Sequence, residues 1–195
     1  MKKINIFILL ILVVTCKAQI PVINNLDWNG VDIPNSYVKD TNNNMNQFVG
    51  TYVYQNNGVY FKIKLKKILM TPDISFYSDM IVGEFEYLDF NNSVSTLSEI
   101  DVVYPQEYSH SIAGSRLIRN NQEIDCDDCL LGELRMDLKF NDTHLGGDIV
   151  IRRTNLSGVE VLKVFRRARH PVYRVGDVKI SGIVPDGEFI LIKQP

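Results

Sequence analysis

The sequence predicts an all-β protein, an antiparallel barrel or sandwich of about eight to ten strands behind an irregular N-terminal segment. Residues 48–67 carry two alternating runs on either side of Asn57-Gly58, a pair that accepts positive φ at both positions and so marks a two-residue hairpin. Residues 133–140 alternate without a fault: Leu134, Met136, Leu138 and Phe140 against Glu133, Arg135, Asp137 and Lys139. Turn residues recur at short intervals, and neither a long helical period nor a βαβ alternation interrupts them.

Length and composition set the frame. The 195 residues are 45% hydrophobic and 23% charged, values of one globular domain. Met1-Lys2-Lys3 and the apolar run over 4–14 read as an export signal, too short to span a bilayer as a mature helix. Cleavage after Ala18 makes 1–18 the signal peptide. Val13-Val14-Thr15-Cys16 also resembles a lipobox, so Cys16 is a candidate for lipidation, and export ends in the periplasm, outside the cell or at the outer membrane. The net charge of −2 becomes more acidic once Lys2, Lys3 and Lys17 are removed. That argues against nucleic acid, and leaves a lipid anchor at Cys16 as the route to a membrane.

The remaining chain divides into a lead-in segment, 19–47, and a β domain, 48–195. The lead-in is rich in Asn, Asp and Pro and has no sustained period; Trp28, Ile33 and Tyr37 are its expected anchors. In the hairpin, taking Asn57 and Gly58 as the loop sets Tyr54 opposite Phe61, Tyr52 opposite Ile63 and Gly50 opposite Leu65. Thr51 and Val53 then face Lys64 and Lys62, so one face is apolar and the other carries Lys62, Lys64 and Lys66. A loop over 70–78 leads to a strand over 80–90, with Ile81, Phe85 and Tyr87 on one face, Glu84 and Glu86 on the other, and Gly83 as a bulge or close approach. Thr96 and Glu99 have capping-box spacing for one helical turn. Further strands are expected over 100–104, 112–119, 148–153 and 159–167, the last with Val159, Val161 and Phe165 on one face. Shorter candidates lie over 172–175 and 180–184, and a final strand over 188–193 follows Pro185-Asp186-Gly187.

Phe48-Val49-Gly50-Thr51-Tyr52 resembles the Gly-x-Trp start of lipocalin-like (calycin) barrels, with Tyr52 in place of Trp. The wider pattern resembles a family of exported Bacteroidota proteins of unknown function. The motifs are Cys-Lys-Ala-Gln over 16–19, Tyr-x-Lys-Asp-Thr-Asn-Asn over 37–43, Phe-x-Gly-Thr over 48–51, and Pro185 before a strand ending in Lys193-Gln194. The resemblance implies an exported lipocalin-like barrel and brings no activity or site residues. In calycins a late Arg packs across the first-strand Trp, a part that would fall here to Arg174 against Tyr52.

Cys126-Asp127-Asp128-Cys129 reads first as a local disulfide, since cleavage or lipidation alike takes Cys16 out of the pool of free thiols and leaves an even pair. Zinc would need further ligands from His110, His144 or His170, and a redox role is opposed by the flanking acids, which disfavour the thiolate. The run over 123–128 reads as a solvated acidic loop rather than a calcium site. Arg166, Arg167, Arg169 and His170 read as a solvated basic strand end. No G-x-S-x-G, H-E-x-x-H or phosphate-binding loop is present. The expected function is therefore an exported, non-enzymatic β domain without cofactor or metal, binding a small apolar ligand or a cell-envelope partner. Tyr52, Tyr54, Phe61, Phe85 and Tyr87 are the candidate ligand-lining residues, with core filling as the plainer role for the same rings. The alternative is a secreted or surface hydrolase using paired carboxylates, Glu84 or Glu86 with Asp101.

Overall fold

A computed structural model of the chain describes residues 20–119, 126, 128–169 and 181–195. Among them, eleven strands form one sheet. They are β1 (Val22–Asn24), β2 (Tyr37–Lys39), β3 (Gly50–Asn56), β4 (Val59–Pro72), β5 (Tyr77–Leu88), β6 (Ser93–Ser95), β7 (Ile112–Arg119), β8 (Leu134–Asn141), β9 (Gly146–Leu156), β10 (Val159–Ala168) and β11 (Gly187–Lys193). The order β5-β4-β3-β11-β10-β9-β8-β7 returns to β5 through a β5–β7 pairing, which closes an eight-stranded antiparallel barrel. Closure removes the free edges that an open sheet would expose. β6 extends the end of β5, while β2 joins its start in parallel and carries β1 at its side.

The β3–β4 hairpin has the register set by Asn57-Gly58: Tyr54 faces Phe61, Tyr52 faces Ile63 and Gly50 faces Leu65. Asn57 at φ 49° and Gly58 at φ 77° supply the two positive values that the turn requires. Lys62 and Lys64 point outward, opposite Glu86 and Glu84 of β5. The strand over 112–119 is β7, and those over 133–140, 148–153, 159–167 and 188–193 appear as β8 to β11 with ends moved by a few residues.

Five expectations are corrected. The loop over 70–78 shrinks to 73–76, because β4 runs on through an irregularity between Ile68 and Thr71 and β5 begins at Tyr77. Residues 100–104 are not a strand: β6 and a 3₁₀ turn (Leu97–Glu99) precede them, and Ile100 alone turns inward while Val103 is 85% exposed. Thr96 makes no side-chain cap. Its hydroxyl oxygen instead accepts from the Phe85 N–H (3.1 Å), which β6 leaves for a side chain to satisfy. Residues 181–184 of the expected 180–184 strand are irregular, and 172–175 lie outside the described residues. In the lead-in, Trp28 packs on Phe76 and the Tyr37 hydroxyl donates to Asp79, whereas Ile33 is 47% exposed and lies outside the core.

Gly83 is a close-approach point. A Cβ there would lie 2.5 Å from Leu65 Cδ2 and 2.7 Å from the Lys64 carbonyl oxygen, and that backbone atom has no room to retreat. Gly83→Ala is expected to cost about 2 kcal/mol by overpacking, measured as a lowered urea midpoint at unchanged m-value.

Candidate functional site

The barrel interior is the first place to look for a ligand. Tyr52, Phe61, Phe85 and Tyr87 are core residues, and Tyr54 packs against them half-buried. The rings meet edge to face: Phe61 lies 6.4 Å from Phe85, 6.0 Å from Tyr87, 6.4 Å from Phe140 and 5.1 Å from Phe189. Tyr54 stands edge-on to Phe189 at 5.4 Å. These are contact distances for aromatic pairs, so the candidate lining residues line one another. Burial pushes the Tyr52 hydroxyl up to about 12, with Glu160 adding to it. Tyr87 is likewise raised to about 12 by burial and by Asp89.

Both ends of the barrel are covered. The 3₁₀ turn Asn44–Phe48 delivers Met45 and Phe48, each fully buried, to the end where β3 begins. At the opposite end Arg166 of β10 lies inside, where the reading of a solvated basic cluster placed it outside. It donates to Asp142 Oδ2 (2.8 Å) and Asp186 Oδ1 (2.8 Å), and its guanidinium sits 5.4 Å from the Phe140 ring centre. Asp142 also accepts from the backbone N–H groups of Leu145 and Val184. Strand alternation is the cause: Leu162 and Val164 face inward, so Arg166 follows them, while Phe165 faces out. Arg174, the residue that the calycin resemblance proposes for an interior contact, lies outside the described residues, as do Cys16 and His170.

The carboxylates of the hydrolase reading do not converge. Asp101 is exposed and reaches Lys66 at 3.7 Å. Glu86 is half-buried opposite Lys62. Glu84 is fully buried on the outer wall, under the connection from β6 to β7, and its Oε1 lies 2.7 Å from His110 Nδ1. Glu107 Oε2 faces the other ring nitrogen at 3.2 Å, and Tyr104 packs edge-on against the imidazole. Only the Nδ1–Glu84 contact has hydrogen-bond geometry; the Nε2–Glu107 contact is close but misaligned. The two acids lie on opposite edges of the ring and share no point at which a substrate atom or metal could sit. A depression of about 470 Å³ opens beside them, lined by Tyr108, His110, Ser111, Lys139, Asn141 and Arg169 among others. A cue to this row exists in the sequence: β5 is apolar on both faces over Met80, Ile81, Val82 and Phe85, the mark of a strand covered twice.

Cys126 and Cys129 are joined in a disulfide. Arg152 of β9 holds it to the wall, lying 3.1 Å from each sulfur and donating to both oxygens of Asp128 at 3.0 and 2.7 Å. Lys163 adds a third bond to Asp128 at 2.6 Å. Among the described residues, no group of three or more His, Cys, Asp or Glu side chains is placed to hold a metal ion.

With the site's geometry in view, the sequence profile described as "Family of unknown function (DUF6705)" matches residues 1–194. The chain belongs to that family. No curated protein and no solved structure gives a significant match. The match spans the strands of the barrel and the lead-in together, so both are features of one family unit.

Two side-chain networks can be tested. Arg166→Met leaves buried Asp142 without its counter-charge and should lower unfolding free energy by about 3–5 kcal/mol in urea. Arg152 and then Lys163 hold the Asp128 carboxyl well below its ordinary value of 3.8. A depressed folded-state value gives stability present above the unfolded pKa and lost as pH falls through the folded one. Asp128→Asn should therefore flatten the loss of stability that the parent chain shows between about pH 4 and pH 2, followed by denaturant titration at each pH.

Proposed function

We propose that the chain is an exported, non-enzymatic barrel of the cell envelope that works through its outer surface on a partner there. The observation that carries this reading is the interior: Phe61 in contact with Phe85, Tyr87, Phe140 and Phe189, between ends covered by Phe48 and by Arg166. A barrel built to hold an apolar ligand keeps open volume along its axis, and these rings occupy it. The lipocalin likeness, on this reading, concerns the first strand and its inward Tyr52 rather than a ligand cup, and the export motifs are of the Bacteroidota type described above.

A hydrolase built on Glu84 or Glu86 with Asp101 has less support. Glu84 turns to His110 and Asp101 to Lys66, so the pair lacks the common target that acid and base require. The Glu84–His110–Glu107 row acts on this account as a clasp that fastens the β6–β7 connection to the wall, where a lone buried carboxylate would be costly.

Native mass spectrometry of the chain exported from a bacterial host tests the reading. The expected spectrum shows the processed polypeptide free of any non-covalent small molecule in its folded charge states. A stoichiometric apolar adduct that departs on unfolding would overturn it and restore the ligand-carrier role.

A further inference from the structure

We propose that the projecting end of the β4–β5 hairpin, with β1 and β2 beside it, rests on a phospholipid bilayer. This goes beyond the envelope role above and rests on the export part of that reading.

The two strands run past the barrel, and at their far end Thr71 pairs with Ser78 and Pro72 with Tyr77. The lead-in is bonded to the same end. The Asn35 N–H donates to the Ser75 carbonyl at 2.7 Å, the Tyr77 N–H to Ser36 at 2.9 Å, and the Tyr37 N–H to Pro21 at 2.7 Å. Trp28 packs on Phe76 with ring centres 5.6 Å apart. On the elements of this end the exposed aliphatic side chains are Ile74 at 101% exposure, Leu69 at 64%, Val31 at 58%, Val22 at 54%, Ile33 at 47% and Met70 at 43%. Single exposed aliphatics are ordinary; six on the elements that meet at one end of the sheet point to a contact surface. The irregularity between Ile68 and Thr71 sharpens it. A regular strand would turn one of Leu69 and Met70 inward, but here both face solvent and Met70 takes φ 52°.

Described backbone begins at Ile20, on this end, and Cys16, the candidate for lipidation where cleavage falls before it rather than after Ala18, precedes it closely in the sequence. One acyl anchor alone holds a protein reversibly, and stable attachment takes a second apolar or electrostatic contact. An acyl group on Cys16 would bring this end, rather than the Asn57-Gly58 end, to the membrane. Asp32 and Asp73 stand among the aliphatics, so the surface suits zwitterionic rather than anionic headgroups.

Trp28 is the chain's single tryptophan and lies within the proposed contact. The test uses the full chain exported by a bacterial host, mixed with vesicles of phosphatidylcholine and phosphatidylethanolamine, with and without bromine on the upper acyl chains. Brominated vesicles should quench Trp28. The double variant Leu69→Asp and Ile74→Asp, at positions too exposed to disturb the core, should lose the quenching and bind about tenfold more weakly. The mass of the N-terminal peptide reports acylation of Cys16 separately. Protein that sediments with vesicles through an acylated Cys16 while Trp28 stays unquenched overturns the proposal and leaves export and anchoring intact. Quenching without acylation supports the surface and removes the anchor. A concentration-dependent dimer that the double variant abolishes, with no quenching, assigns the surface to a second copy of the chain and overturns it equally.

Discussion

The backbone of β5 is the shared constraint. One edge pairs with β4 along nearly its whole length. The other is divided: β2 takes Tyr77 and Ser78, β7 takes 81–83, the Thr96 hydroxyl takes the Phe85 N–H, and β6 takes 86–88. Every stretch of a buried strand must satisfy its peptide groups, and here successive neighbours do so in turn. Barrel closure, the covering of Glu84 and the docking of the lead-in follow from that division.

Both faces of β5 are buried for the same reason. Inward, Phe85 and Tyr87 join the ring cluster around Phe61. Outward, Met80 and Val82 meet Ala113, Ile68 and Tyr108, and Glu84 meets His110. A second polar knot fixes the lead-in: Asp40 accepts from Lys67 and from the backbone of Asn44 and Met45, and Asp79 accepts from Tyr37, Met70 and Asp40. The Tyr-x-Lys-Asp-Thr-Asn-Asn motif is thus a binding strap, with Tyr37 and Asp40 as its working side chains. Asp40 is paired with Lys67 as well as hydrogen-bonded, while Asp79 is held by hydrogen bonds alone.

What the sequence made legible was local. The β3–β4 register followed because turn chemistry and face pattern agree on one pairing, and the Cys126–Cys129 bridge because two thiols are close in the chain. Gly83 was visible as a gap in an apolar strand. Arg166 was not, because four basic residues in five positions suggest solvent, and only the inward run of Leu162 and Val164 contradicts that. The pairing of His110 with Glu84 was not legible, because the two lie far apart in the chain and the segment that carries His110 has no period of its own. Arg152 escaped for the same reason: its bonds to Asp128 depend on where an irregular loop lands.

Amide hydrogen exchange at Ile81 and Gly83, whose N–H groups share the β7 edge of β5 with those of Tyr77 and Phe85, tests the closed barrel most directly. If β7 completes the ring there, these two amides should exchange only through global unfolding, as slowly as those of Ile63 and Leu65 in β4. Exchange at loop-like rates at Ile81 and Gly83, with β4 still protected, would mean an open sheet and contradict the account.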